Sequence, residues 1–228
     1  MVPRPLADPP AHYGARLMRA AALALLLVAG SAEALDVAVE PYRAAQRAGA
    51  TGIVTGRVAA EPRTLRVPGK PFVGTTVTLL PRSAALLAKL EQLKEGSRDS
   101  STAFTAAAPS MRKAREGYER ELLAAGAPDL TPMVQVDADG TFKIDEVPAG
   151  AWMLVAWYSA PVDVSASKPK TRQKDLYQPQ PLIQGYQAVT VWVRELTVAG
   201  GATEKVELTD RNGWFRGVVE ERVLGTGR

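Results

Sequence analysis

The side chains that most often carry out catalysis are almost missing from this sequence. Its 228 residues contain no cysteine and a single histidine, His12. A thiol nucleophile, a thiolate metal site and a disulfide are therefore excluded. His12 lies in a segment that we expect to be removed, which would leave no imidazole to act as a general base or metal ligand. We therefore predict no catalytic residue, no cofactor and no metal site.

Carboxylates are the remaining groups with catalytic potential, but their spacing singles out no pair. Glycoside hydrolysis needs two carboxyl groups about 5–9.5 Å apart in a cleft, and a hydrolase that uses carboxylates alone is our least favoured alternative. Asp137, Asp139 and Asp145 suggest calcium, yet the twelfth position of an EF-hand loop that began at Asp137 would be Pro148, which has no carboxylate. Aspartates that cap a turn are the better interpretation. The other candidate acids are Glu195, Glu204, Glu207, Asp210, Glu220 and Glu221.

Two groups of residues are candidates for binding rather than for catalysis. Trp152, Tyr158 and Trp192 would stack on sugars if they formed an exposed platform, although large aromatic side chains more often fill a core. In the second group, four cations alternate with neutral residues in a proline-containing stretch. Such a stretch favours a solvated loop, and its functional alternative is contact with an anionic surface or an acidic partner. These cations are Lys168, Lys170, Arg172 and Lys174.

Overall composition indicates a globular protein with little charge excess. Hydrophobic residues make up 46% and charged residues 23% of the chain, which is typical of a folded domain. The 28 Lys and Arg residues against 24 Asp and Glu residues give a net charge of +4. Nucleic-acid-binding proteins usually concentrate far more positive charge, so we expect no nucleic-acid partner.

The N-terminus has the three-part pattern of a secretory signal peptide. Arg16 and Arg19 precede the apolar run of residues 20–29 (AAALALLLVA), and small residues follow at positions 32 and 34. Ten apolar residues are half of the roughly 20 that cross a bilayer, so cleavage is favoured over retention as an anchor. We predict cleavage after Ala34, a periplasmic or secreted protein and no transmembrane span once the signal is removed.

Beyond this leader, the pattern is one of short strands. β-Branched residues alternate with polar ones in runs bounded by Gly and Pro, as in antiparallel strands. The run at 151–158 is apolar on both faces, which is typical of a strand covered on both sides. A turn at Asn212 and Gly213 precedes a last apolar stretch that we expect to pack on the others. The predicted strands cover residues 53–59, 75–80, 133–137, 141–144, 151–158, 188–198 and 203–208, which indicates a β sandwich.

A helical hairpin interrupts these strands at residues 83–127. Ser83 is placed as an N-cap and Gly96 as a stop signal, and Leu86 and Leu90 share one helical face. A polar linker at residues 97–101 leads through Phe104 to a second apolar stripe, which starts at Met111. We expect these stripes to pack on the sandwich or on each other, and the alternative is an arm that docks a partner or dimerises. The oligomeric state stays open.

Three segments carry a resemblance to a known family. Residues 54–58 (VTGRV) have the form V-x-G-x-V, residues 73–79 (VGTTVTL) form the next strand, and residues 137–152 fit D-x-D-G-x-F followed by P-x-G-x-W. In this order they resemble the carboxypeptidase regulatory-like domain, a transthyretin-like, Ig-like sandwich. The resemblance covers about residues 52–82 and 133–158. It implies seven antiparallel strands, here with the inserted hairpin.

Enzymes built on a similar sandwich depend on residues that this sequence lacks. The transthyretin-related hydroxyisourate hydrolases depend on histidines and a C-terminal Tyr-Arg-Gly-Ser, whereas this chain ends in Gly-Thr-Gly-Arg. The intradiol dioxygenases hold iron with two tyrosines and two histidines. The resemblance therefore implies a binding, accessory or structural module.

Together these features predict a non-catalytic, exported binding or structural module of the bacterial cell envelope. Its partner would be an envelope protein, a glycan or an anionic surface. The alternatives are a carbohydrate-binding module and an accessory subunit of an envelope enzyme. The predicted organisation is a leader at 1–34 that starts at Met1 or Met18, an entry segment at 35–51 and a domain at 52–228 with a long basic loop at 159–187.

Overall fold

A computed structural model describes residues 35–62, 69–162 and 182–223, without the side chains of 182–184 and 221–223. The predicted signal peptide and the basic stretch from Lys168 to Lys174 lie outside the described residues. Among the helices that are described, none is long and apolar enough to cross a membrane.

Three α-helices are present: α1 is Glu40–Arg47, α2 is Ala84–Gly96 and α3 is Ser101–Ala124. The N-cap predicted at Ser83 is confirmed, because its Oγ accepts a hydrogen bond of 2.9 Å from the Leu86 N–H. The polar linker predicted at residues 97–101 is present at 97–100, but the second helix begins at Ser101, ten residues before Met111. Ser100 caps α3 by accepting from the Ala103 N–H at 3.0 Å, and the alanines that follow are strong helix formers. Pro109 consequently lies inside the helix.

The strands form two sheets, which confirms a mainly β sandwich with a helical insertion. One sheet has the order β4-β1-β7 and the other the order β3-β2-β5-β6-β8. β8 is an eighth strand, in the stretch that was expected only to pack back. β1 and β7 are parallel, so the antiparallel expectation is wrong for this pair. The strands are β1 Thr51–Ala59, β2 Thr76–Pro81, β3 Met133–Gln135, β4 Thr141–Pro148, β5 Gly150–Pro161, β6 Leu182–Val198, β7 Thr203–Thr209 and β8 Phe215–Val223.

The five-stranded sheet is covered on both faces near its centre, so the molecule has three layers. Along β5, Trp152 and Leu154 point into a core shared with the three-stranded sheet. Met153 and Val155 point to the opposite face, into a second core under the helices. This alternation confirms the prediction that the strand is covered on both sides.

The helical hairpin is the third layer. A 3₁₀ turn, Pro128–Leu130, follows α3 and leads into β3. The favoured expectation, that the apolar stripes pack on the sandwich, is confirmed for the hairpin. Because these side chains are buried, they do not form a free docking arm. They are Leu86, Leu90, Met111, Tyr118 and Leu122.

The predicted loop at 159–187 is too long, because β5 and β6 extend into it. Ser159 pairs with Val189, Pro161 pairs with Gln187, and the Val162 N–H donates to the Tyr186 carbonyl at 2.9 Å. β8 lies on the other side of β6. β8 supplies backbone pairing partners to the first part of β6, where the sequence has few apolar residues to indicate a strand.

The D-x-D-G turn carries the chain from one sheet to the other, between β3 and β4. Gly140 adopts a φ of +87°, which favours glycine. The Asp139 carboxylate accepts hydrogen bonds from the Thr141 N–H at 3.2 Å and its hydroxyl at 2.9 Å. These bonds lower the pKa of Asp139. The aspartate therefore caps the turn, as the sequence indicates.

Candidate functional site

Two of the three aromatic residues proposed as a platform lie in the core. Trp152 and Trp192 are both 0% exposed. The Trp152 Nε1–H donates to the Pro148 carbonyl and the Trp192 Nε1–H to the Thr209 carbonyl, each at 2.8 Å. An exposed platform that includes these two rings is therefore wrong. Large indole rings inside the sandwich bury more apolar area than small side chains could, which is why they fill it.

Tyr158, the third candidate, lies at the limit of that core. Its side chain is half-buried, and its ring centroid is 4.8 Å from that of Phe72. Phe72 in turn packs 5.9 Å from Trp192. One side of Tyr158 is thus held by the core, while part of the residue stays exposed to solvent.

The face that bears Tyr158 continues along the extension of β5, β6 and β8. Tyr158 pairs with Thr190 and Ala160 with Ala188. Ala188 also pairs with Val218 of β8. Directly paired residues and every second residue of a strand share a face. We call this surface the tyrosine face; its apolar and aromatic residues are Tyr158, Ala160, Val162, Tyr186, Ala188 and Val218. By the same pairings, Thr190, Arg216 and Glu220 border these residues on that face.

Most of the tyrosine face lies beyond the packed core. Apart from Tyr158, its residues belong to neither of the two apolar clusters that the described residues form. Val162 is 40% exposed. Tyr186 lies four residues along β6 from Thr190, the partner of Tyr158, so the two tyrosines are about 13 Å apart along the strand. The result is an elongated strip with an apolar centre, a phenol group near each end and the polar residues Thr190, Arg216 and Glu220 at its border.

Tyr186 is the residue of this site that the sequence did not reveal. It falls within the stretch predicted as a basic loop, where no alternation was recognised. Its position on the sheet depends on β8, which pairs Tyr186 with Glu220. The missing signal was therefore a pairing between distant segments rather than a local pattern.

Two of the carboxylates considered for hydrolysis have structural partners, and two others lie on a different sheet from Glu195. Glu195 forms an ion pair with Arg82. Asp210 accepts a hydrogen bond of 2.7 Å from the Glu61 N–H, and Glu204 and Glu207 lie on β7 in the other sheet. In the described ranges, no group of three or more His, Cys, Asp or Glu residues is placed to hold a metal ion.

A cleft of about 410 Å³ lies beside the C-terminal half of α3. Burial raises the pKa of Glu119, Arg115 opposes this effect and Glu116 adds to it. The i,i+4 spacing of Arg115 and Glu119 is that of an ordinary surface pair, so the sequence did not signal this carboxyl as a site residue. The lining residues are Glu116, Glu119, Arg120, Leu123, Pro128 and Thr131.

Two buried N–H groups lie on the face of the sheet that α3 covers. The Arg115 Nε is 3.2 Å from Glu119 Oε1, close enough for an ion pair, but no acceptor is aligned with its N–H. The Trp157 Nε1–H also has no acceptor, and the Arg112 guanidinium lies 4.7 Å from the centroid of the Trp157 ring. Buried donors without acceptors are uncommon in folded proteins.

Comparisons with known proteins give only distant similarities. No protein-family model and no curated protein matches the sequence. A crystal structure of a proposed carbohydrate binding protein from Pseudomonas aeruginosa is 15% identical with a TM-score of 0.39, over 70% of this chain and 88% of that one. The pilus backbone protein RrgB of Streptococcus pneumoniae is 12% identical with a TM-score of 0.26, over 69% of this chain and 40% of that one. At this level neither similarity is an argument for function.

Proposed function

We propose that the protein is a non-catalytic, exported binding module of the bacterial cell envelope that holds a glycan on its tyrosine face. The observation that carries this proposal is the position of Tyr158 and Tyr186 on one sheet face, with Tyr158 at the limit of the packed core and Tyr186 beyond it. The module is of the carboxypeptidase regulatory-like type, by the order of its VTGRV, D-x-D-G-x-F and P-x-G-x-W segments.

The chemistry of the tyrosine face suits a sugar chain. A phenol ring has an apolar face that packs on the C–H groups of a pyranose, and a hydroxyl that bonds to sugar hydroxyls. Ala160, Ala188 and Val218 form a low apolar floor between the rings. Because the residues stand on paired strands, the rings are held at a fixed spacing before the ligand arrives.

The lack of catalysis is supported by the residue inventory. The chain has no cysteine, and its one histidine lies in the predicted leader. Glu195 and Asp210 have structural partners, as described above. Export is supported by the leader pattern at residues 16–34.

Titration calorimetry with soluble oligosaccharides tests this proposal. The probes are glycan strands released from peptidoglycan and, for comparison, chito-oligosaccharides. Removal of one stacking ring by Tyr186→Ala should weaken binding roughly three- to tenfold, whereas Tyr186→Phe should retain most of the affinity.

Met133→Ala is the matched control, because Met133 is 63% exposed on β3, at the other edge of the sheet. It should leave affinity unchanged. The proposal fails if the wild-type protein binds none of these glycans, or if Tyr186→Ala binds them as tightly as the wild type does.

A further inference from the structure

β8 forms one edge of the five-stranded sheet. It pairs with β6 from Phe215 to Val223, and no described strand lies on its other side. The outward N–H and C=O groups of such an edge are a template for pairing with another chain. At nine residues, β8 is long enough to offer several of these groups.

Two of the other three edge strands in the described chain carry features that disfavour pairing. β3 has only three residues. β4 has a register shift against β1 next to Glu146, whose φ is +57°. Short strands and bulges are usual protections of an edge. Charge does not distinguish the remaining edge, β7, from β8: β7 bears Glu204, Lys205 and Glu207, and β8 bears charged residues at 216 and 220–222.

β8 is self-complementary about Val218. If a second copy pairs antiparallel with a two-fold axis at Val218, Arg216 lies opposite Glu220 of the second copy and Val218 opposite Val218. The axis repeats the Arg216–Glu220 pair on its other side. Since paired residues share a face, each arginine and glutamate are close enough to interact.

We propose that two copies of the protein pair through β8, joining their five-stranded sheets into one sheet of ten strands. The contact is isologous, so it closes as a dimer and does not continue into a fibre. The partner is a second copy of this chain because the same five residues, 216–220, supply both halves of the charge complementarity.

α3 covers the first part of β8. Phe104 packs 6.5 Å from Phe215, and a Cβ added to Gly217 would lie 3.8 Å from the Ala108 Cβ. In the proposed register, Phe215 lies opposite residue 221 of the second copy, six residues along the strand. The two Phe215 residues are then about 20 Å apart along the strand direction, so the Phe104 ends of the two α3 helices are offset from each other.

Pairing would also place the two tyrosine faces on the same side of the joined sheet, because Val218 belongs to that face and lies at the axis. The dimer does not depend on a glycan, so it is measured without one. A monomeric protein would therefore leave the proposed glycan binding untouched, and a protein that binds no glycan could still form the dimer.

Sedimentation velocity of the exported, leader-free protein tests the inference. We expect a reversible dimer that weakens at high salt. Arg216→Glu creates two like-charge contacts per dimer, and so does Glu220→Arg. Each should raise the dimer Kd roughly tenfold or more.

The double variant Arg216→Glu/Glu220→Arg restores opposite charges and should bring the Kd back to within about threefold of the wild type. Glu207→Arg, a charge reversal on the β7 edge, is the matched control and should have no effect. A protein that stays monomeric at several hundred micromolar overturns the proposal. So does a dimer that single reversals do not weaken, or a double variant as weak as the singles while its thermal unfolding matches the wild type.

Discussion

Gly56 and Gly117 show how position decides what a glycine does for stability. A Cβ on Gly56 would lie 2.6 Å from Phe142 Cε1 and closer still to the Val206 carbonyl oxygen. The glycine of the V-x-G-x-V segment thus lets the Phe142 ring lie against the backbone of β1. In α3, a Cβ on Gly117 would have only Arg120 Nη2 within 4 Å, at 3.9 Å.

We therefore predict opposite effects of the same substitution at these two glycines. Gly56→Ala should lower the free energy of unfolding by about 1–3 kcal/mol through overpacking. Gly117→Ala should raise it by about 0.5–1 kcal/mol, because alanine favours the helix. Urea unfolding measures both, and effects of the same sign would contradict the packing around Gly56.

Glu119 makes stability depend on pH in a defined direction. Burial raises its pKa in the folded state. The folded state consequently holds this proton more tightly than the unfolded chain does. The contribution of Glu119 to stability is present at acid pH and is lost as pH rises through the raised pKa.

Glu119→Gln, which imitates the protonated carboxyl, should remove this fall in stability. Urea unfolding at a series of pH values from about 4 upward compares the two proteins. We expect a flatter profile for the variant over the acid range. Parallel profiles would mean that the Glu119 carboxyl is solvated in the folded protein.

At the scale of elements, α3 covers one face of the five-stranded sheet, and the two sides of this helix differ sharply in solvent exposure. Met111 is 1% exposed against β5 and β6, whereas Leu123 is 60% exposed on the same helix. Met111→Ala should cost about 2–5 kcal/mol of unfolding free energy. Leu123→Ala should change it by less than about 0.5 kcal/mol. Similar small losses at both positions would favour a hairpin that is only loosely attached.

The sequence predicted most helices and strands, but not all of their first and last residues. Alternation and glycine turns revealed β1 to β5, β7 and the second part of β6, because their apolar residues meet a core. β8 (FRGVVEERV) was not recognised, because Gly217 and the charged residues interrupt its alternation. The first turns of α3 were not recognised as helix, since Pro109 and nearby polar residues weaken the local helical pattern. In both cases tertiary packing overrides a weak local preference.

The site was predictable only in part for a related reason. Alternation placed Trp152 and Tyr158 on one face of their strand and Trp192 on a second strand expected nearby, but it does not say where a second layer covers these residues. The structure shows the cover ending near Tyr158, which buries the two indoles and leaves the tyrosine partly exposed. Tyr186 joins the site through pairings that span the 163–181 segment, beyond the reach of a local pattern.

At the scale of the whole molecule, the fold begins directly after the predicted cleavage site. Asp36 Oδ2 accepts a hydrogen bond of 2.8 Å from the Ala85 N–H at the start of α2, and Val37 and Val39 pack against both cores. Cleavage after Ala34 keeps this cap. N-terminal sequencing of the exported protein should therefore begin at Leu35, and a start beyond Asp36 would contradict the predicted organisation.

The central claim is that a glycan binds the tyrosine face, and tyrosine-selective NMR tests it most directly. After leader removal the chain has five tyrosines: Tyr42, Tyr118, Tyr158, Tyr177 and Tyr186. Tyr42 and Tyr118 are 7% and 4% exposed and serve as internal controls. With peptidoglycan oligosaccharides, the ring signals of Tyr158 and Tyr186 should shift together along one binding curve while both controls stay fixed. Unmoved Tyr158 and Tyr186 signals at saturating glycan would contradict the account.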